Sequence, residues 1–399
     1  MDEYSREEAA VRAGVGVEEI DWLVDSGVVA PNEKGQFSAA TIRKVTVLAS
    51  LASAGVPREL FAKEIKSGRL LSLDFLDNPI FSRFSILSTT TFEELAANTG
   101  IPLELILVIR EAIGSAVPQP TDLVREIELQ VVPLIEAQLE SGYPTEAVER
   151  LLRTMGDSLR RFVLAEADAF RSYVIRPVGH LSGVEIGRAS ESVNQRISGH
   201  DDRAVVAIYH AHQAHAWTAN ILEGFESTLS QAGLFDRVKH PPAMCFLDIT
   251  GYTRLTAEQG DRAAAELAEQ LGRLVQRTSL RYGGRPVKWL GDGIMFHFKN
   301  PGPGVLAALE MIQGLAAAGL PPAHVGLHAG PVLFQDGDYY GQTVNLASRI
   351  AEYARPGEVL VSQAVVDESD EMLVRFDAIG GVDLKGIGGY INLYAARER

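Results

Sequence analysis

Apolar positions along this chain follow two rhythms, and the change between them comes near residue 240. Upstream, leucine, isoleucine, valine and alanine return at three- and four-residue spacing, which predicts a succession of helices. Breaks are expected at Gly35, Asn78-Pro79, Pro118-Gln119-Pro120, Gly142-Tyr143-Pro144 and Arg176-Pro177. Downstream, short continuous apolar runs end in Gly- and Asp-containing turns, the pattern of buried strands. Three segments are expected: a compact start over 1–70, a helical regulatory or dimerising region with a linker helix over 71–238, and a mixed domain over 239–399. No internal repeat or low-complexity tail interrupts them.

The polar residues that close the downstream runs carry chemistry. Met244-Cys245-Phe246-Leu247 leads into Asp248 and a Gly-containing loop, so a buried strand delivers a carboxylate to its carboxyl end. Val287-Lys288-Trp289-Leu290 and Ile294-Met295-Phe296 flank Gly291-Asp292-Gly293, a tight hairpin with a second carboxylate at its tip. Gly-Asp-Gly alone is also an ordinary turn. Two carboxylates on neighbouring strand ends can hold a pair of divalent cations, and hard oxygen donors favour Mg2+ or Mn2+. Past Gly337-Asp338, a turn leads into a helix on which Asn345 and Arg349, four apart, share one face. That pair offers a ribose contact and a guanidinium for phosphate charge, or is a plain surface pair.

Taken together, these motifs resemble the class III nucleotidyl cyclases, over about residues 240 to 397. The resemblance implies an α+β catalytic domain of ferredoxin-like, βαββαβ core, preceded by an all-α regulatory region. It implies two metal-binding aspartates, Asp248 and Asp292, with Ile249 also at the metals, and two Mg2+ or Mn2+ ions per site. Ile249, Thr250, Gly251, Tyr252 and Thr253 would form the turn that holds the triphosphate. Lys288 and Asp338 match the adenine-selecting pair, Asn345 and Arg349 the transition-state pair, and Lys385 the late triphosphate lysine. Adenine offers an amine donor to Asp338 and a ring nitrogen to Lys288, whereas guanine presents an acceptor where adenine has its donor, so ATP is the expected substrate. The expected reaction is attack of the ribose 3′-hydroxyl on the α-phosphorus, giving 3′,5′-cyclic AMP and pyrophosphate. No histidine or glutamate in the motifs stands out as a dedicated base. In this family the metal ligands come from one protomer and the base-selecting and transition-state residues from the other, so a head-to-tail homodimer with composite sites is expected. The alternative is a catalytically silent nucleotide-binding sensor. The Gly-Gly-Asp/Glu-Glu-Phe signature of diguanylate cyclases is absent.

Charge narrows the partners. The 399 residues carry 37 Lys and Arg against 52 Asp and Glu, a net charge of -15, which argues against broad affinity for nucleic acid or anionic membrane. The longest uncharged stretches, such as Val45 to Pro57, are too short to span a bilayer. The acidic start lacks the apolar core of a signal peptide, and a cytoplasmic protein is expected. Cys245 is the only cysteine, so no internal disulfide is available.

The first seventy residues resemble a degraded MerR-type winged helix, carried by Tyr4-Ser5-Arg6-Glu7-Glu8-Ala9-Ala10, Ala13-Gly14-Val15, Trp22 to Val29, and Phe37-Ser38. Such a fold places its second helix in the DNA major groove. Here that segment carries Glu18, Glu19, Asp21 and Asp25 with no base, and residues 1–70 hold 11 acids against 9 bases. DNA binding is not expected, and a repurposed protein-interaction or dimerisation module is. Residues 56–234 bear a fainter similarity to the helical regulatory region of actinobacterial pH-responsive adenylyl cyclases, through Phe92 to Ala96, Gly100 to Leu105 and Leu139 to Tyr143. It implies a regulatory role and leaves a small-molecule or lipid regulator open. His180, His200, His210, His212, His215 and His240 crowd the approach to the last domain: ordinary solvated or core histidines, a pH sensor, or a metal site.

Overall fold

The computed structural model describes residues 3–67, 73–77, 81, 86–179, 183–197, 199–234, 240–251, 257–258, 260–370 and 372–399. The expected Asn78-Pro79 break and His180 lie outside them. The chain divides into two compact units, Met1–Leu222 and Glu223–Arg399.

In the first unit, Glu3–Tyr4 pairs with Phe37–Ser38, and helices Arg6–Ala13, Val17–Asp25 and Ala39–Ser53 pack around Ile20, Leu23, Phe37, Ile42 and Leu48. Local chemistry sets the boundaries. Ser5 and Glu8 form a reciprocal capping box, Gly14 closes the first helix in the left-handed region, and Ser38 caps the third. Four of its cations are paired with carboxylates: Arg6 meets Asp21 at 2.6 Å, Arg12 meets Glu126 at 2.6 Å, Lys44 meets Asp77 at 2.8 Å and Arg58 meets Glu19 at 3.3 Å.

A second core gathers Phe92, Leu105, Ile106, Ile109, Ile135, Val148 and Leu152. It includes a two-stranded ribbon, Leu87–Thr91 with Leu123–Arg125, that helical spacing does not predict. The β-branched run Thr89-Thr90-Thr91 favours the extended chain, and Thr91 then caps the next helix against Glu94. Glu128, fully buried, accepts two hydrogen bonds at 2.8 Å from Arg110 and one at 2.7 Å from the Arg125 amide. The break expected at Arg176-Pro177 comes just past the proline, at Gly179. Helix Thr145–Phe170 widens into a π turn over Arg171–Ile175 and continues through Arg176–Val178, which accommodates the missing proline N–H. The long helix His200–Gln231 buries none of its described side chains, and His210, His212 and His215 are exposed on it.

The second unit is built on strands β1 (Ala243–Ile249), β2 (Gly284–Leu290), β3 (Gly293–Phe298) and β4 (Ala323–Ala329), with helices α1 (Asp261–Arg281) and α2 (Pro301–Ala317). The order β1-α1-β2-β3-α2-β4 and the antiparallel arrangement β4-β1-β3-β2 make the expected βαββαβ core. Strands β7 (Val359–Ser362), β8 (Val374–Asp383) and β9 (Tyr390–Glu398) extend the sheet to seven, in the order β8-β9-β7-β4-β1-β3-β2. Strand alternation sorts the two faces. Ala243, Cys245, Leu247 and Ile249 join Leu271, Val275, Val305 and Met311 of α1 and α2 in the main core. Met244 and Phe246 face the other way, onto Ala347 and Ala351 of α3 (Gln342–Tyr353). Among the described residues no helix is long and apolar enough to cross a membrane.

Candidate functional site

Asp248 follows Leu247 on the edge of the core, so alternation turns its side chain to the α3 face of the sheet. Leu290 pairs with Gly293 across a two-residue turn of Gly291 and Asp292, with Gly291 in the left-handed region at φ 67°. A glycine first in such a turn is what a twisted hairpin needs. Gly293 pairs with Asp248 across the sheet, and a Cβ on it would stand 3.1 Å from the Asp248 carboxylate. The glycine lets the two strand ends close until the carboxylates interact. Burial, then the negative charge of Asp292, push the Asp248 pKa above the usual carboxylate range, with nearby His324 acting the other way.

His324, unremarked in the sequence, stands opposite Asp248 on β4, with Nε2 3.6 Å from its carboxylate and Nδ1 3.3 Å from the Thr250 hydroxyl. Only the strand register reveals it. The Thr250 amide, expected on a triphosphate, donates to the Pro322 carbonyl at 2.8 Å. Ile249 is buried at the end of β1, and Gly251, exposed with φ 80°, follows in the turn. Tyr252 and Thr253 lie outside the described residues. Among the described residues no group of three His, Cys, Asp or Glu side chains could hold a metal. A mutually repelling pair of partly exposed carboxylates suits hard divalent cations that take their remaining oxygens from substrate and water.

The second group comes from a hairpin where the sequence predicts only a turn into a helix. β5 (Leu333–Gln335) pairs with β6 (Asp338–Tyr340) around Asp336 and Gly337, both at positive φ (54° and 82°). Asp-Gly at those two positions is the hairpin signal that was available. The hairpin brings Asp338 into contact with the Lys288 ammonium, 50 residues away in sequence. α3 starts immediately afterwards, with Asn345 exposed one turn from Arg349. Arg349 is held by Glu352, through 2.5 and 2.6 Å contacts to its two oxygens. Lys385 is exposed in the turn between β8 and β9.

The structure thus gathers Asp248 with Asp292, Lys288 with Asp338, and Asn345 with Arg349 on one helix. His240, of the histidine cluster, pairs with Glu368 at 2.5 Å, and His200 meets Arg203 at 3.1 Å.

Residues 237–396 match the adenylate and guanylate cyclase catalytic domain. An adenylate cyclase of Streptomyces coelicolor is 24% identical over 277 residues, 69% of this chain and 70% of that protein. A pH-sensitive adenylate cyclase of Mycobacterium tuberculosis is 24% identical over 318 residues, 76% of this chain and 77% of that protein. Among solved structures, the adenylyl cyclase CyaB of P. aeruginosa is 24% identical with a TM-score of 0.36, over 40% of this chain and 94% of that one.

Proposed function

Because residues 237–396 belong to the class III nucleotidyl cyclase family, we propose that this protein is an adenylate cyclase, converting ATP to 3′,5′-cyclic AMP and pyrophosphate. The observation that carries the substrate assignment is the contact of Asp338 with Lys288, which lies on the strand that leads into the Asp292 turn. Asp338 accepts from the adenine amine while Lys288 donates to the ring nitrogen, and their mutual contact keeps both side chains aimed before the base arrives. Once the bound base and the partner protomer cover this partly exposed pair, its hydrogen bonds reject the base that presents an acceptor in place of a donor.

Asp248 and Asp292, with the Ile249 carbonyl, would hold Mg2+ or Mn2+, which when bound supply Lewis-acid activation of the 3′-hydroxyl and charge neutralisation at the triphosphate. Asn345 orients the ribose, and Arg349, one helical turn on, neutralises charge that develops on the α-phosphoryl group. Arg349 must first exchange Glu352 for phosphate. An exposed i,i+3 pair contributes only about 0.2–0.5 kcal/mol, so phosphate charge displaces it readily. Lys385 on its turn, and Gly251 after β1, hold the β- and γ-phosphates.

The working form is a head-to-tail homodimer in which Asp248 and Asp292 of one protomer act with Lys288, Asp338, Asn345 and Arg349 of the other. Exposed Trp289 and Leu290 beside the Asp292 turn, and Leu333 and Phe334 on the β5–β6 hairpin, support it, as apolar surface that a lone protomer leaves in water. The helical region upstream regulates the alignment of the two halves. The test is purified full-length protein incubated with ATP or GTP and Mn2+, with products separated by chromatography. Cyclic AMP from ATP is expected; no cyclic product from either nucleotide sinks the proposal, and a preference for GTP sinks the Lys288–Asp338 assignment.

A further inference from the structure

We infer that His297 is a positioning residue for base selection: its ring carries Tyr339, and through Tyr339 it sets where Asp338 meets Lys288. The inference rests on the adenylate cyclase reading and deepens it. Asp338 lies on a hairpin that pairs only with itself among the described strands, so no ladder hydrogen bonds tie it to the seven-stranded sheet that carries Lys288. Something else must fix the distance between them. The alternation of β6 turns Tyr339 away from its neighbours Asp338 and Tyr340 and down onto the sheet, where it is 8% exposed and packs with Met244, Phe246 and Met295.

Its ring lies flat on His297, with centroids 4.4 Å apart and planes 6° from parallel, and Phe334 leans on it at 4.9 Å and 51°. His297 sits on β3, on the face it shares with Met295, and pairs across with Arg285 of the edge strand. Burial, and secondarily the charge of Arg285, pull its pKa down to about 4, so at neutral pH the ring is an uncharged aromatic platform. From Tyr339 the path to the carboxylate is one residue long, because the Tyr339 amide donates to Asp338 Oδ1 at 2.8 Å. The other carboxylate oxygen meets Lys288. Removing the platform frees the hairpin to slide over the sheet. Lys288 and Asp338 both survive, but the spacing that rejects guanine does not.

The test uses full-length His297→Ala and His297→Phe protein, with initial rates on ATP and GTP in Mn2+ and hydrogen exchange of the 333–340 hairpin. His297→Ala should lower the ATP-to-GTP ratio of kcat/KM about tenfold, chiefly through a higher KM for ATP, and speed exchange in the hairpin. His297→Phe, which keeps a flat ring, should restore both. An alanine variant with the wild-type ratio and exchange, or a phenylalanine variant that behaves like alanine, overturns the inference. If the alanine variant does not fold, His297→Leu keeps the volume without the flat face and is held to the same two measures. Wild-type protein that makes no cyclic AMP sinks the enzymatic reading instead, and unchanged hairpin exchange in the variants then sinks the stack's role as well.

Discussion

Gly326 on β4 is where the position of the Asn345–Arg349 helix is decided, and Gly326→Ala should damage catalysis without touching any site residue. A Cβ there would stand 2.7 Å from the Ala347 carbonyl oxygen and from Ala351 Cα, and nearer still to the Ala351 amide nitrogen. Ordinary contact begins near 3.4 Å, and the obstructing atoms are backbone, so no rotamer change relieves the clash. The helix must retreat by roughly 1 Å, a displacement that can cost on the order of 100-fold in rate when it moves groups aligned with a reacting centre. Overpacking of this kind costs about 1–3 kcal/mol, or a fall of roughly 2–12 °C in Tm for a domain of this size. Cyclic AMP formation under saturating ATP, and thermal unfolding of the same preparations, measure the two effects. Gly224→Ala, at a helical glycine with nothing within 4 Å, is the control: it should leave the rate unchanged and should not lower Tm, since alanine is favoured over glycine in a helix by about 0.5–1 kcal/mol. A Gly326→Ala protein with wild-type Tm and a rate within about threefold of wild type would show that the helix is not held through this contact.

Three further outcomes follow from the same structure. Mixing inactive Asp292→Ala protein with inactive Asn345→Ala protein should restore activity, toward about a quarter of wild type with random exchange, because one mixed site keeps both half-sets; no recovery after verified subunit exchange refutes the shared site. Asp248 is held above its ordinary pKa, so its contribution to stability is present at acid pH and is lost as pH rises through the raised value. Metal-free Asp248→Asn protein should therefore melt higher than wild type at neutral pH and equally below about pH 4, and Mn2+ should stabilise only the wild type; a variant that melts lower at neutral pH contradicts the burial and repulsion assigned here. Random duplex DNA at low ionic strength should give no anisotropy change, since Arg6, Arg12, Lys44 and Arg58 are each paired with a carboxylate; salt-dependent binding would count against that charge accounting.

The parts of this molecule that the sequence discloses are those set by neighbours in the chain. Continuous apolar runs announce β1 and β3, Gly291-Asp292 announces the turn between β2 and β3, and the spacing of Asn345 and Arg349 announces a shared helix face. What stays hidden depends on register between distant segments. His324 reaches Asp248 only because β4 pairs with β1 at that offset, and a slip of one residue would turn it to the opposite face. The stack of Tyr339 on His297 needs the hairpin folded back over the sheet, which no local pattern specifies. Pro177 is legible to within two residues: the π turn before it absorbs the lost hydrogen bond, and the helix then ends at Val178.

The charges of the site also bear on the order in which it is filled. Lys288 is neutralised by Asp338 and Arg349 by Glu352, so the groups proposed to meet base and phosphate are internally compensated before substrate arrives. Burial and the charge of Asp292 instead raise the cost of ionising Asp248, with His324 at 3.6 Å as a partial offset. A cation relieves that repulsion at once. A nucleotide triphosphate approaching the bare carboxylates adds to it. Binding of divalent cation should therefore strengthen nucleotide affinity, and by reciprocity ATP should strengthen cation affinity by the same factor. Calorimetric titration of Mn2+ into full-length protein, with and without a non-cyclising ATP analogue, measures that coupling. Equal Mn2+ affinities in the two titrations would mean that the carboxylate pair and the triphosphate do not share an ion.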